Sequence, residues 1–461
     1  VVFSSGSDNL VSGDNNRTSD IFLHDRENGE TSRINLASNG AEANRGSLHP
    51  GIFGNGRYVT FESAADNLVA GDTNGISDVF LHDRETGLTR RVNLASDGSE
   101  AEDPQISHSW IWWYTNPVSD DGRYAAFTSW SGNLVPGDEN ALEDVFVHNL
   151  ETGETERVSL DVEGRPFENY SSLLLDMSDD GRYVAFQTLY RPDAPAGEQE
   201  QGGLYIRDRE AGKTTLIPNG HGATFSNAGW FLAYGHFALS EDPPGQGWRG
   251  GTRVLDMQTG EALEPVVSYL GTAPDQDGGG AVISGDGRSL VFISNATNLV
   301  PGDANAGSDV FVTDNPHFFR INAGLNDAWY NPPTSGQGFQ VTVFPQQQKM
   351  FVSWMTYDTD SHGYSDSSPL GGRGQRWLTA YGPYEGRKAL LEVYSTMGGL
   401  FDSEEPAPNT YSYGTMILEF THCTNGTVTY DFPSADRRRI IPVQRIALDN
   451  VPLCELLNDI E

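Results

Sequence analysis

The sequence is poor in positive charge and nearly free of cysteine. Of its 461 residues 29 are Lys or Arg against 64 Asp or Glu, a formal net charge of −35. Lysine occurs three times, as Lys213, Lys349 and Lys388. Such a field repels a polyanion, which argues against nucleic-acid binding, and it attracts cations. No apolar run reaches the roughly 20 residues that a membrane helix needs, so no membrane span is expected. Nothing near Val1 reads as a signal peptide, and the expectation is that any export signal has already been removed or lies outside this sequence. G-x-S-x-G, H-E-x-x-H and Walker-type loops are missing, which removes the commonest nucleophile, zinc-protease and nucleotide signatures. The repeated acidic loop G-D-x-N-x-x-x-D carries no cysteine or histidine, so zinc or copper would be poorly served there.

What is abundant is glycine, aromatic residues and repetition. The 52 glycines and 49 aromatics (9 Trp, 18 Tyr, 22 Phe) indicate a globular, turn-rich chain and not an acidic disordered tail. The block from Asn55 to Ser96, NGRYVTFESAADNLVAGDTNGISDVFLHDRETGLTRRVNLAS, recurs at the start of the chain and from Asp121 and Asp286. Eroded copies follow Asp180 and Asn227. The aromatic that ends the RYVxF segment is Phe3, Phe61, Phe127, Phe186, Tyr234 and Phe292, at intervals of about 48 to 66 residues.

Within a copy, RYVTF and DVFLHD are short β-branched and aromatic runs bounded by Asp-Gly, Gly-Asp and Thr-Gly turns. No sustained helical period appears before residue 320. Four such strands make a propeller blade, and six copies predict a six-bladed β-propeller over residues 1–320. From Ile321 the repeat stops. Segments such as GQGFQVTVFP, KMFVSWMTYD, KALLEVYST and RRIIPVQRIAL alternate apolar and polar residues. They predict a compact antiparallel β-barrel or sandwich over 321–461, making the chain all-β.

The order S-x-D-G-R-Y-x-x-F, then D-V-F-x-x-D-x-x-T-G, resembles the TolB-type (WD-like) propeller repeat of bacterial envelope and secreted proteins, over residues 1–320. The resemblance implies a fold more firmly than an activity, since propellers host lyases, peptidase-associated domains and plain binding modules. Trp329-Tyr330-Asn331-Pro332, Gly336-Gln337-Gly338-Phe339 and Gly374-Gln375-Arg376-Trp377-Leu378 resemble an uncharacterised C-terminal domain of some secreted proteobacterial proteins. That likeness names no chemistry.

The sharpest site signal is the loop G-D-x-N-x-x-x-D, present as Asp14/Asn16/Asp20, Asp72/Asn74/Asp78, Asp138/Asn140/Asp144 and Asp303/Asn305/Asp309. Hard oxygen ligands at i, i+2 and i+6 can wrap calcium, with carbonyls and water completing the shell. The spacing resembles the start of an EF-hand loop without its distal glutamate. The competing reading is turn capping by Asp and Asn. Two carboxylates without a cation would repel each other, which favours calcium. His24, His82 and His148 share one register that holds Thr313 in the last copy, and read as packing.

Catalysis would break the repeat symmetry. The divergent fifth copy offers His221, Tyr234 and His236 as a candidate ligand or acid/base set, and the insertion Trp110, Trp112, Trp113, Tyr114 offers a sugar-stacking platform or an interface. Cys423 and Cys454 could bridge the tail to the last domain or remain two buried thiols. With the acidic loops they favour an oxidising setting, secreted or at the cell surface, the periplasm included. The function expected is a calcium-stabilised, non-catalytic binding or surface-assembly module with a protein or carbohydrate ligand. The rivals are a polysaccharide lyase or hydrolase, and a structural subunit of a polymer joined by strand donation. The polymer arises because Val1-Val2-Phe3 starts inside a second strand. The strand missing before it could come from upstream residues, from the segment after Phe311, or from a neighbouring molecule.

Overall fold

The structure, a computed structural model, describes residues 1–53, 56–102, 117–190, 203–239, 248–266, 268, 274–305, 307–334, 336–357, 375–397, 405 and 407–459. Two compact units divide the chain. One is Val1–Ala262 with Gly278–Ile293 and Val310–Val312, and the other is Leu263–Asp277, Ser294–Asp309 and Thr313–Glu461.

Among the described residues the repeats fold as six sheets of three or four strands, each strand beside its chain neighbour. Sheet one is Val2–Ser5, Asp20–His24 and Thr31–Arg33. Sheet two is Ser47–Phe53, Tyr58–Ser63, Asp78–Asp83 and Leu88–Arg91. Sheet three is Tyr124–Ser129, Asp144–Asn149 and Thr155–Arg157. Sheet four is Tyr170–Met177, Tyr183–Tyr190, Leu204–Asp208 and Lys213–Ile217. Sheet five is Gly220–Phe225, Phe231–Leu239, Trp248–Asp256 and Ala262–Leu263. Sheet six is Gly278–Ile283, Ser289–Ser294 and Asp309–Asp314.

Sheets one to five bury residues from both faces, because period-2 alternation sends one set of side chains forward and the other back. Ile21 and Leu23 of sheet one cluster with Val59 and Phe61 of sheet two. Val79 and Leu81 then meet Ala125 and Phe127 of sheet three, and Val145 and Val147 meet Val184 and Phe186 of sheet four. Leu204 and Ile206 meet Leu232 and Tyr234 of sheet five. The second- and third-strand aromatics stack within a sheet, as Phe61 on Phe80 at 5.7 Å between centroids.

The DGRY turn links one sheet to the next. Ser119 Oγ donates to Asp121 at 2.7 Å and accepts from the Tyr124 N–H at 2.9 Å, which fixes the turn with Gly122 at φ 69°. The ring of Tyr58 from sheet two fills the place a Gly122 side chain would take. Tyr124 lies likewise against Gly181, Tyr183 against Gly229 and Phe231 against Gly287. Backbone bonds run through the same turns, from Asp120 N–H to Asp179 O at 2.8 Å, Asp179 to Asn227 at 3.0 Å, and Asn227 to Gly285 at 2.9 Å.

Beyond the repeats, eight strands close into a barrel. They are Asp327–Tyr330, Gly338–Phe344, Lys349–Tyr357, Gln375–Glu385, Lys388–Met397, Asn409–Phe420, Asn425–Phe432 and Arg437–Arg445. Pairing of Trp329 with Arg445 and of Tyr330 with Gln444 completes the circle, so the barrel alternative holds over the sandwich. Met350, Val352 and Trp354 alternate into its core beside Trp329 and Phe420. The terminal segment forms a helix, Val451–Asp459, whose Cys454 bonds to Cys423.

Candidate functional site

The acidic loops contain a charge that the motif alone did not reveal. In the second repeat Arg91 Nη1 lies 3.2 Å from Asp72, 3.1 Å from Asp78 and 2.5 Å from Glu100, with all but Glu100 nearly sealed from water. Arg33 does the same in the first, at 3.3 Å from Asp14, 3.6 Å from Asp20 and 2.8 Å from Glu42. In the third, Arg157 stands 3.1 Å from Asp138 and 3.2 Å from Asp144. The loop asparagines point their amide nitrogen inward. Asn16, Asn74 and Asn140 donate to Asp20, Asp78 and Asp144, while their oxygens accept the N–H of Thr18, Ile76 and Leu142.

These three loops therefore do not fit calcium as placed, because a guanidinium already balances the two carboxylates and each asparagine offers a donor where a ligand oxygen is required. The repulsion that favoured calcium is answered by the chain's own arginine. Burial, helped by Asp78, still pushes Asp72 up to about 6 against Arg91, and Asp138 reaches about 6 through burial and Asp144. Although burial opposes it, bonds from Thr73 and Arg91 hold Glu100 down at about 2. The signal was available in sequence, since the arginine follows the last loop aspartate at a fixed distance in SRINL, RRVNL and ERVSL.

The fourth loop differs. Asn305 again donates to Asp309, at 2.9 Å, but at the arginine's offset stands Asn322. Among the described residues no cation pairs with Asp303 or Asp309. Also among the described residues, no three His, Cys, Asp or Glu side chains converge so as to hold a metal ion.

The shared-register histidines are joint parts. His82 Nδ1 lies 2.9 Å from Thr89 Oγ1, and Thr89 also bonds the Leu36 carbonyl of the preceding repeat. His148 repeats this with Thr155, 2.8 Å away, and Leu94. Burial lowers the pKa of both imidazoles, which suits neutral packing groups.

The fifth-repeat set is split by its own sheet. His221 pairs with Gly235, and its ring occupies the space beside the glycine α-carbon. Tyr234 and His236 flank Gly235 on the same strand, so they occupy the opposite face. Tyr234 is buried in the cluster with Leu232 and Phe225. The structure thus does not bring His221 onto one face with the other two. Trp110, Trp112, Trp113 and Tyr114 lie outside the described residues.

On the barrel's outer surface an aromatic stripe appears that the sequence reading passed over. Met355 pairs with Trp377, Ser353 with Thr379 and Phe351 with Tyr381. Their alternation partners Val352, Trp354, Leu378 and Ala380 face the core, leaving Trp377 64% exposed and Met355, Tyr357 and Tyr381 exposed beside it. Lys349 lies 4.7 Å from the Tyr381 ring centroid. A hydropathy count could not assign Trp377 outward until the register was known.

No protein-family model matches the chain, and no curated protein matches it. Among solved structures, the β-propeller domain of the trilobed protease from Pyrococcus furiosus aligns at 12% identity and TM-score 0.35, over 88% of this chain and 96% of that one. Prolyl oligopeptidase B from Galerina marginata aligns at 11% identity and TM-score 0.36, over 88% of this chain and 52% of that one. The acylaminoacyl peptidase of Pyrococcus horikoshii aligns at 10% and TM-score 0.33, over 83% and 57%.

Proposed function

We propose that the chain is a secreted or cell-surface, non-catalytic carbohydrate-binding module, in which TolB-like propeller blades span residues 1–320 and a barrel with the contact surface spans 321–461. The observation that carries this reading is the exposed stripe of Met355, Tyr357, Trp377 and Tyr381 on paired strands, with half-buried Phe351 paired to Tyr381. Contiguous exposed apolar surface of this kind marks interaction sites, and flat rings on a strand platform can stack against the C–H faces of sugars. The Cys423–Cys454 bond is compatible with an oxidising compartment. Calcium enters this reading at the Asp303, Asn305 and Asp309 loop alone, where among the described residues no arginine balances the carboxylates and where binding would require Asn305 to turn its oxygen inward from its present donation to Asp309.

The test is a titration of the protein with soluble neutral and acidic polysaccharides, read by tryptophan fluorescence. A saturable change that disappears in Trp377→Ala supports the proposal. If no polysaccharide perturbs the emission, or if Trp377→Ala binds like the parent, the barrel face is not a sugar platform.

A further inference from the structure

In sheets one to three the strand that follows the acidic loop, Asp20–His24, Asp78–Asp83 or Asp144–Asn149, is held along its far edge by one sequence pattern. Residues 31–36, 89–94 and 155–160 all read T-x-R-I/V-N/S-L. The Ile or Val N–H donates to a carbonyl of the loop-following strand, Ile34 to Ile21, Val92 to Val79 and Val158 to Val145, each at 2.8 Å. The next side chain accepts the N–H of that same residue at 3.0 Å, Asn35 from Ile21, Asn93 from Val79 and Ser159 from Val145. It also donates to Asp20, Asp78 or Asp144. The arginine stands beside both loop carboxylates. Asp20, Asp78 and Asp144 are thereby sealed, at 0%, 1% and 0% exposed.

Sheet six has the receiving half of this joint without the donating half. Asp303, Asn305 and Asp309 form the same loop and Asp309–Asp314 is the same strand, yet among the described residues that strand ends the sheet. Asp309, bonded only by Asn305 among the described residues, is half-buried where its counterparts are sealed. Neither backbone bond of the pattern reaches Val310 among the described residues. The chain's own copy of the pattern's core is engaged elsewhere. Arg320-Ile321-Asn322 reads R-I-N, but Ile321 is 5% exposed in the barrel core with its N–H on the Gly386 carbonyl at 2.8 Å, and Asn322 donates to the Cys454 carbonyl at 3.2 Å.

We infer that the edge of Asp309–Asp314 is a docking site for an extended segment of a partner protein that carries T-x-R-I/V-N/S-L. The segment adds as a strand, with its backbone on Val310, its Asn or Ser bridging to Asp309, and its arginine between Asp303 and Asp309. Charge selects it, because two carboxylates on a chain of net charge −35 face the position where three other loops each hold a guanidinium. Arginine and calcium claim the same oxygens there, so the occupancy of one excludes the other.

The test titrates the full chain, in EGTA, with a labelled peptide of residues 86–96, read by fluorescence anisotropy and by amide exchange. Saturable binding should slow exchange in Asp309–Asp314. It should weaken at least about tenfold in the Asp303→Asn, Asp309→Asn protein and with an Arg91→Met peptide, since each change removes a charge-assisted bond. A scrambled peptide of the same composition that binds equally overturns the inference, because the acidic surface alone would then be the receptor. So does the absence of binding, and so does binding that leaves Asp309–Asp314 unprotected or ignores those substitutions. Slow exchange of this strand in the peptide-free protein also overturns it: if the protection vanishes on dilution a second copy fills the edge, and if it persists residues 320–322 do.

Discussion

Tyr58 occupies the space that a side chain on Gly122 would need, so the aromatic of one GRY segment is the floor of the next repeat's turn. The same turn demands φ 69° of residue 122. Glycine is thus required twice, once by backbone conformation and once by the neighbouring ring.

Gly122→Ala should destabilise the protein by about 2–3 kcal/mol, combining left-handed strain with a displaced tyrosine. Gly153 supplies the control, with φ 77° and open space around it. Gly153→Ala should cost about 1 kcal/mol, the strain alone. Denaturant midpoints of the two variants decide; equal losses would show that the Tyr58 contact carries no energy.

Arg91→Met should cost about 3–5 kcal/mol, because it leaves Asp72 and Asp78 buried without a counter-charge. Calcium titration of the parent protein by calorimetry should find at most one equivalent, removed by Asp303→Ala. Three or four equivalents would mean that ions displace the arginines.

The acid window offers a separate check. Asp72 and Asp138 are raised to about 6, above their unfolded values. Between roughly pH 4 and 6 the folded state therefore holds more protons than the unfolded chain, and this contribution to stability falls as pH rises. Asp83 and Glu100 shift downward and titrate below that window. The double variant Asp72→Asn, Asp138→Asn should show a flatter melting temperature between pH 4 and 6; an unchanged slope would place the titration elsewhere.

The strands and the barrel elements were legible because RYVTF, DVFLHD and KMFVSWMTY alternate between strong turn signals, and alternation is a local property. The arginine beside three of the acidic loops was missed because the loop pattern was read without its distant partner. Asp78 meets Arg91 only through the register of two neighbouring strands, which the loop spacing does not encode. His221 and Tyr234 were grouped because both break the repeat, yet asymmetry in sequence says nothing about which face of a sheet a residue takes. The Trp377 stripe escaped for the same reason. Counting six copies predicted six blades, and the repeat region forms six sheets of three or four strands among the described residues.

The disulfide ties together a buried polar cluster in the barrel. Arg445 donates to the Cys423 carbonyl at 2.8 Å, to Asp327 at 2.8 Å and to the Gly324 carbonyl at 2.9 Å, with its guanidinium 4.8 Å from the Trp329 ring centroid. Gly324 lies directly against Cys454, leaving no room for a side chain. The bond closes a separation of 31 residues, which in the chain-entropy model restrains the unfolded state by about 3.7 kcal/mol. Cys423→Ala with Cys454→Ala should lower barrel stability by about 2–4 kcal/mol and loosen the helix Val451–Asp459, while the repeat sheets, which contain no cysteine, keep their exchange rates. Arg445→Met should cost as much or more with the disulfide intact, since Asp327 and two carbonyls lose their donor. Exchange mass spectrometry on both variants separates the contributions. Equal loosening of the repeat sheets in the double cysteine variant would show that the barrel does not unfold independently of them.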